Sequence, residues 1–305
     1  MQVGSLATWR EIAGGNSHTV ATRTDESLWA WGSNGSGQMG SPALATARVR
    51  QPEQLGTDTN WQQAAVGNRH TVAVRTNGTL WAWGENAFGQ LSDGTTTARN
   101  VPTQIGMATD WRSAAAGHNH TLAVRADGTL WAWGDNASSQ LGDGTTTNRL
   151  APVQIGTATN WQRVVTAATW ALAVRTDGTL WVWGSSSRGL GLGILFGSYR
   201  PEPTQIGTDT NWQWIDINGG RAAAVRTDGT LWVWGSTSEV GSATALKSTS
   251  LRRCKLVRPR PGGKRFLASA TLLPCAPTAR FGAGATAFLA RWAMATPTPT
   301  RRRYR

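Results

Sequence analysis

Lysine is absent from the first 242 residues, and every acidic side chain is absent from residues 243–305. Tyrosine occurs only twice. The two cysteines, Cys254 and Cys275, both fall in the acid-free segment and carry no information about redox compartment. No apolar run approaches the roughly 18 residues that a membrane-spanning helix requires. The opening stretch, MQVGSLATWREIAGG, has neither a basic nor a long apolar section and does not read as a signal peptide. The formal net charge of +13 is unevenly placed: 16 Arg face 17 acids before residue 243, and 14 basic residues stand unopposed after it. Such a patch ordinarily points to nucleic acid or an anionic surface. Here the break in composition coincides with the loss of a sequence pattern.

That pattern is built on tryptophan, which occurs 18 times, 17 of them before residue 243. ESLWAWG at Glu26–Gly32 returns as GTLWAWG at Gly78–Gly84 and Gly128–Gly134, and as GTLWVWG at Gly178–Gly184 and Gly229–Gly235. The second Trp of each copy stands at Trp31, Trp83, Trp133, Trp183 and Trp234, giving spacings of 52, 50, 50 and 51. A period near 50 marks a repeat architecture.

The unit from Trp61 to Asp110 shows the logic. WQQAAVG is a short apolar run, and HTVAVR alternates Val72 and Val74 against Ala73 and Arg75. Asn77-Gly78 is a two-residue hairpin signal of type I′, repeated by Asp127-Gly128, Asp177-Gly178 and Asp228-Gly229. TLWAWG alternates again, as a strand packed on both faces does. A polar loop then leads to PTQIG, with Pro102 expected at the start of a fourth strand. Four short antiparallel strands per 50 residues describe one blade of a β-propeller. Five pairs of Trp would supply the core between blades, each ring burying roughly 150–250 Å². The expected fold is all-β: about five four-stranded blades forming a partial, open propeller, followed by an irregular C-terminal tail.

The phrase W-x-x-x-x-x-G-x-x-H-T-x-A-V-R-x-D-G-T-L-W-x-W-G, with N-x-x-x-Q-L-G-D-G-T-T-T after it, resembles the regulator-of-chromosome-condensation repeat. The resemblance covers residues 1–242, in units near 9–60, 61–110, 111–160, 161–211 and 212–242. It implies a propeller, typically of seven blades, and the LWAWG wording resembles the bacterial branch of that family. For function it implies a non-catalytic protein-interaction scaffold. Guanine-nucleotide exchange on a small GTPase and inhibition of a secreted hydrolase such as a β-lactamase are the family's alternatives.

The tail reads differently one frame over. Ser242 to Leu246 then permits Gly-Asp-Gly-Thr, and Pro277 to Ala285 permits Asp-Gly-Thr-Leu-Trp-Ser-Trp-Gly. Arg291 to Ala295 permits Leu-Gly-Asp-Gly with both glycines forced. Residues 243–305 are thus expected to be the frameshifted remainder of the fifth unit and a sixth repeat, and the break could leave the chain without function. On this reading the basic residues there have no evolved role, and nucleic acid is not the expected partner.

No catalytic set, cofactor loop or metal site is expected. His18, His70 and His120 hold the same repeat position, one per blade and far apart, and His118-Asn119-His120 lacks a third ligand. Asp143-Gly144-Thr145 has no EF-hand spacing and reads as a turn in which Asp143 accepts from backbone N–H groups. The loops after each unit's first strand differ while the strands barely change: Asn16-Ser17, Asn68-Arg69, His118-Asn119, Thr169-Trp170 and Gly220-Arg221. They should ring one face, which makes Arg69, His118, Trp170 and Arg221 the partner-binding candidates. The fourth unit's long loop adds Phe196 and Tyr199.

Overall fold

The computed structural model describes residues 8–41, 48–186, 198–235 and 252–254. Among the described residues, twenty strands form five antiparallel four-stranded sheets, each in simple sequential order. The first blade comprises β1 (Trp9–Gly14), β2 (His18–Arg23), β3 (Leu28–Gly32) and β4 (Val49–Gln54). The second comprises β5 (Trp61–Val66), β6 (His70–Arg75), β7 (Leu80–Gly84) and β8 (Arg99–Gln104). The third comprises β9 (Trp111–Ala116), β10 (His120–Arg125), β11 (Leu130–Gly134) and β12 (Arg149–Gln154). The fourth comprises β13 (Trp161–Thr166), β14 (Trp170–Arg175), β15 (Leu180–Ser186) and β16 (Ser198–Ile206). The fifth comprises β17 (Trp212–Asn218), β18 (Arg221–Arg226), β19 (Leu231–Gly235) and β20 (Arg252–Cys254).

The blades surround a common axis with β1, β5, β9, β13 and β17 innermost, each packed against the next. No strand contact of comparable extent joins the fifth blade to the first among the described residues. β20 is the one described piece of the tail. It pairs with β19, Trp232 opposite Arg253, and so takes the fourth-strand place in the fifth blade. The remainder of the proposed frameshifted segment lies outside the described residues.

Two local expectations are corrected. In the turns between the second and third strands of the second to fifth blades only the glycine has positive φ, as at Gly78 (76°) and Gly128 (79°). The Gly78 N–H bonds Arg75 O at 2.9 Å and the Arg75 N–H bonds Thr79 O at 3.0 Å. The turn is therefore a three-residue one closed by a glycine bulge, not type I′, because Asn77 stays at negative φ. The first blade puts Glu26 at that position with φ 61°. Pro102 lies inside β8 rather than at its start, where the ladder between Ala82 and Gly84 loses register and needs no donor.

The recurring wording D-G-T-L-W is a hydrogen-bond chain. Asp127 Oδ1 accepts from the Thr129 backbone N–H (2.9 Å) and hydroxyl (2.7 Å), and Trp131 Nε1 donates to that hydroxyl at 2.9 Å. Asn136 explains N-x-x-x-Q-L-G-D-G-T in the same way. Its Oδ1 accepts from Leu141 N, and its Nδ2 donates to Asp143 Oδ1 and Thr145 O. Asp143 also accepts from the Thr145 backbone N–H at 3.0 Å, the turn role expected of it.

Four apolar cores occupy the four junctions between consecutive blades. Between the second and third blades, Val72, Val74, Leu80, Ala82, Leu91 and Ile105 meet Trp111, Ala114, Ala123 and Trp133. Each blade thus shows an aliphatic face to the next blade and a tryptophan face to the one before. Within a blade, the Arg ending the second strand lies over two indoles: Arg125 Cζ is 4.6 Å from the Trp111 ring and 4.1 Å from the Trp131 ring. Arg23, Arg75, Arg175 and Arg226 repeat this arrangement. Cation–π contacts are worth about 0.5–2 kcal/mol each, more where water is excluded. Arg125→Ala is therefore expected to lower unfolding free energy by about 1–3 kcal/mol, read as a lower urea midpoint at unchanged slope. Arg125→Lys should fall between, since it keeps the charge and loses the planar stack.

Candidate functional site

The antiparallel meander sends the first and third loops of every blade to one end of the propeller, and the β2–β3 turns and blade-to-blade links to the other. Acidic residues gather at the turn end. The turn end carries Asp25, Glu26, Asp58, Asp110, Asp127, Asp177, Asp209 and Asp228. Arg75–Asp58 (2.6 Å) and Arg226–Asp209 are paired there. The loops joining first to second strands, residues 15–17, 67–69, 117–119, 167–169 and 219–220, contain no acid, while the third loops at the same end carry Glu85, Asp93, Asp135 and Asp143.

Those loops converge. Asn16 Nδ2 donates to Asn68 Oδ1 (3.1 Å) and reaches His118 Nε2 at 3.2 Å, bringing the first, second and third blades together. Ser17 Oγ donates to Asn68 O, and the Asn68 N–H donates to His118 O. His118 and Arg69 are exposed beside this cluster, and Arg221, half-buried, opens β18. Tyr199 is half-exposed, with its hydroxyl 2.6 Å from Ser139 Oγ of the preceding blade. Phe196 lies outside the described residues.

Trp170 is corrected. It is the first residue of β14, 2% exposed, and belongs to the core between the fourth and fifth blades. Its Nε1 donates to Gly219 O at 2.8 Å. It takes the place held by His18, His70 and His120 in other blades, so it offers no free surface to a partner.

Those three histidines are also closer in function than one-per-blade spacing suggested. His18 Nε2 bonds Thr71 Oγ1 (2.9 Å), and His70 Nε2 bonds Thr121 Oγ1 (3.2 Å). Because each Thr hydroxyl donates onward to Gln38 O or Gln90 O, the imidazole is the donor. His120 meets Ala171 where that Thr should be, and bonds Thr166 Oγ1 instead at 2.6 Å. The three rings are seams between blades. Burial lowers His18 to about 4, and His70 and His120 to about 3; His70 is further lowered by His120 and His18, and His120 by His118.

A second set faces the axis and was missed by sequence reading. Arg163 of β13 lies 5.4 Å from the Trp214 ring of β17. Burial lowers the Arg163 guanidinium, which Asp216 and Glu11 partly restore. Burial raises the Glu11 carboxyl, against the pull of Arg163 and Arg10. Charges from the first, fourth and fifth blades thus act on one another across the axis. The alternation of β1, β13 and β17 could have shown it, since Glu11, Arg163 and Trp214 share one strand position. Among the described residues no group of three His, Cys, Asp or Glu could hold a metal ion, and no helix is long and apolar enough to cross a membrane.

With this geometry in place, comparison with known proteins gives one pattern. The RCC1-like domain family matches residues 2–268. The Protein RCC2 homolog of Danio rerio is 40% identical over 83 residues, 26% of this chain and 16% of its own length. The Ultraviolet-B receptor UVR8 of Arabidopsis thaliana is 34% identical over 92 residues, 30% of this chain and 21% of its own. This chain therefore spans about a fifth or less of these curated relatives. Among solved structures, human WBSCR16 superposes with a TM-score of 0.65 at 23% identity, covering 74% of this chain and 61% of that one. Prp20p from Saccharomyces cerevisiae gives 0.57 at 19%, covering 74% and 72%. At these identities the structures show a shared fold.

The buried histidines make a pH prediction. Each is neutral when folded and takes a proton near pH 6.5 when unfolded, so the unfolded state binds more protons between about 6.5 and 3–4. Stability is complete above pH 6.5 and falls as pH drops through that window. The slope is about 1.4 kcal/mol per pH unit for each histidine. Urea midpoints between pH 7 and 5 should show this decline, and His70→Gln should remove about one proton from it.

Proposed function

Because the chain belongs to the RCC1-like domain family, we propose that it is a non-catalytic protein-interaction scaffold whose partner sits on the end carrying the β1–β2-type loops. The observation that carries the reading is the contrast between a near-identical strand frame and loops that differ in every blade, converge at Asn16, Asn68 and His118, and contain no acid. A rigid frame with variable loops is how a shared fold presents a specific surface. Arg69, His118 and Arg221 favour a partner with an acidic patch, which steers encounter and selects against basic surfaces. Yeast RCC1 (Prp20) is seen bound to Kap60, which supports protein binding as a use of this fold. Guanine-nucleotide exchange on a small GTPase and inhibition of a secreted hydrolase such as a β-lactamase are the alternative readings.

A photo-cross-linking residue at position 69 or 118 should capture the same protein from cells making this chain. The residue placed at Asp127 or Asp177, on the opposite end, should not. Arg69→Glu combined with Arg221→Glu should lower that yield at least tenfold at unchanged melting temperature. Equal capture from both ends would contradict the proposal.

A further inference from the structure

Four of the five turns between second and third strands place an aspartate at one position: Asp25, Asp127, Asp177 and Asp228. The second blade has Asn77 there, followed by Gly78. The turn treats the two residue types alike. Asp127 Oδ1 accepts from the Thr129 N–H and hydroxyl at 2.9 and 2.7 Å, and Asn77 Oδ1 accepts from those of Thr79 at 3.1 and 2.7 Å. In the aspartate turns these donors favour the charged form. Thr129 holds the Asp127 carboxyl below its ordinary value, and Ser27 does the same for Asp25.

On an amide the same two donors have a chemical consequence. They polarise the Asn77 side-chain carbonyl, and they stand where negative charge would build on Oδ1 if a nucleophile added to Cγ. The backbone nitrogen of Gly78 is the nucleophile next in the chain, and no Cβ of its own residue hinders it. Asn77 is exposed, and no acceptor among the described residues takes its Nδ2. The other two Asn-Gly pairs lack this combination. Asn34 is 1% exposed, and its Nδ2 is held on Ser41 O at 3.1 Å. Asn218 ends β17, and the residue two places after it is Gly220, which has no hydroxyl to donate.

We propose that Asn77 is a self-modifying position, converted to aspartate by deamidation within its own turn. Solvent hydroxide takes the Gly78 amide proton, and the Gly78 nitrogen bonds to Asn77 Cγ. The tetrahedral adduct breaks its bond to Nδ2, which takes a proton from water and leaves as ammonia. One water then adds across either carbonyl–nitrogen bond of the cyclic imide. Opening at Cγ gives aspartate, and opening at the Asn77 main-chain carbonyl gives isoaspartate. The sum is one water in and one ammonia out, with no change of oxidation state. The Gly78 N–H must first leave Arg75 O, which it bonds at 2.9 Å, so the step is slow and quickens with pH.

The aspartate product has its place ready. Asp177 Oδ2 accepts from Asn160 Nδ2 at 3.2 Å, and Asn60 holds the position of Asn160 in the second blade. All five turns then carry a carboxylate. Isoaspartate instead routes the main chain through the side chain and takes the carboxylate away from Thr79. The site is independent of the partner assigned to the loop end, since residue 77 lies at the opposite end of the propeller.

Peptide mapping by mass spectrometry tests this on the full folded chain, held at mildly alkaline pH beside a urea-unfolded sample. The Asn77 peptide should gain the mass of an amide-to-acid change while Asn34 stays intact. Thr79→Val keeps the backbone donor and loses the hydroxyl, and it should slow the conversion about tenfold or more. Thr79→Ser, the residue the first blade uses at that position, should restore it. Asn77→Asp should unfold at a urea midpoint no lower than wild type, with the same near-ultraviolet spectrum. An Asn77 that stays an amide in the folded chain while the unfolded chain loses it would overturn the proposal. So would a Thr79→Val variant that converts as fast as wild type, or an Asn77→Asp midpoint below wild type, which would mean that the turn rejects the product.

Discussion

The interaction on which the rest of the chain depends is the seating of a tryptophan-bearing blade face on the aliphatic face of the blade before it. No sheet here has a core of its own. Leu80, Val74 and Ala82 are covered by Trp111 and Trp133 of the next blade, and Trp83 is covered by Leu28, Ala30 and Met39 of the one before. A fully buried indole removes enough apolar surface for up to ~4–6 kcal/mol of gross stabilisation at about 25 cal/mol/Å², most of it offset by chain entropy. The local devices make that seating repeatable. The Arg–Trp stacks hold the first and third strands in register, and the Trp–Thr–Asp chain fixes the turn beside them. Stability in such an array is shared between neighbours rather than stored in any one unit.

Where one seam residue differs, another group supplies its contact. His120 loses the threonine its counterparts use, because position 171 is Ala, and Thr166 supplies the hydroxyl instead. In the fourth blade the histidine is itself replaced, and Trp170 spans the seam to Gly219 O. Ser139 stands where the first two blades have Gly37 and Gly89, keeps their positive φ at 54°, and is met by Tyr199. These exchanges put the chain's individuality near the loop end, where Asn16, Asn68 and His118 also gather, and leave the turn end uniform and acidic. A surface that varies on a frame that does not is what the proposed partner site rests on.

The repeat, the blade order and the all-β class were legible because Trp, Gly and Asp recur at a fixed period for reasons that are local. The hairpin type was not, because Asn-Gly serves both a type I′ turn and a type I turn closed by a glycine bulge, and only the backbone distinguishes them. Trp170 was misplaced by the boundary of a loop. Its equivalence to His70, a seam residue, was visible in the alignment of units, and following it would have put the ring inside. The shared strand position of Glu11, Arg163 and Trp214 was visible in the sequence, but the approach of these charges across the axis was not, because it depends on how far the arc of blades turns.

If neighbours complete one another, protection must follow position in the array. Amide hydrogen exchange followed by mass spectrometry reads this directly. The account predicts that β10 and β11 of the third blade, covered on both faces, exchange at least tenfold more slowly than β2 and β3 of the first and β18 and β19 of the fifth. Equal protection in all five blades, or a first blade as slow as the third, would contradict it.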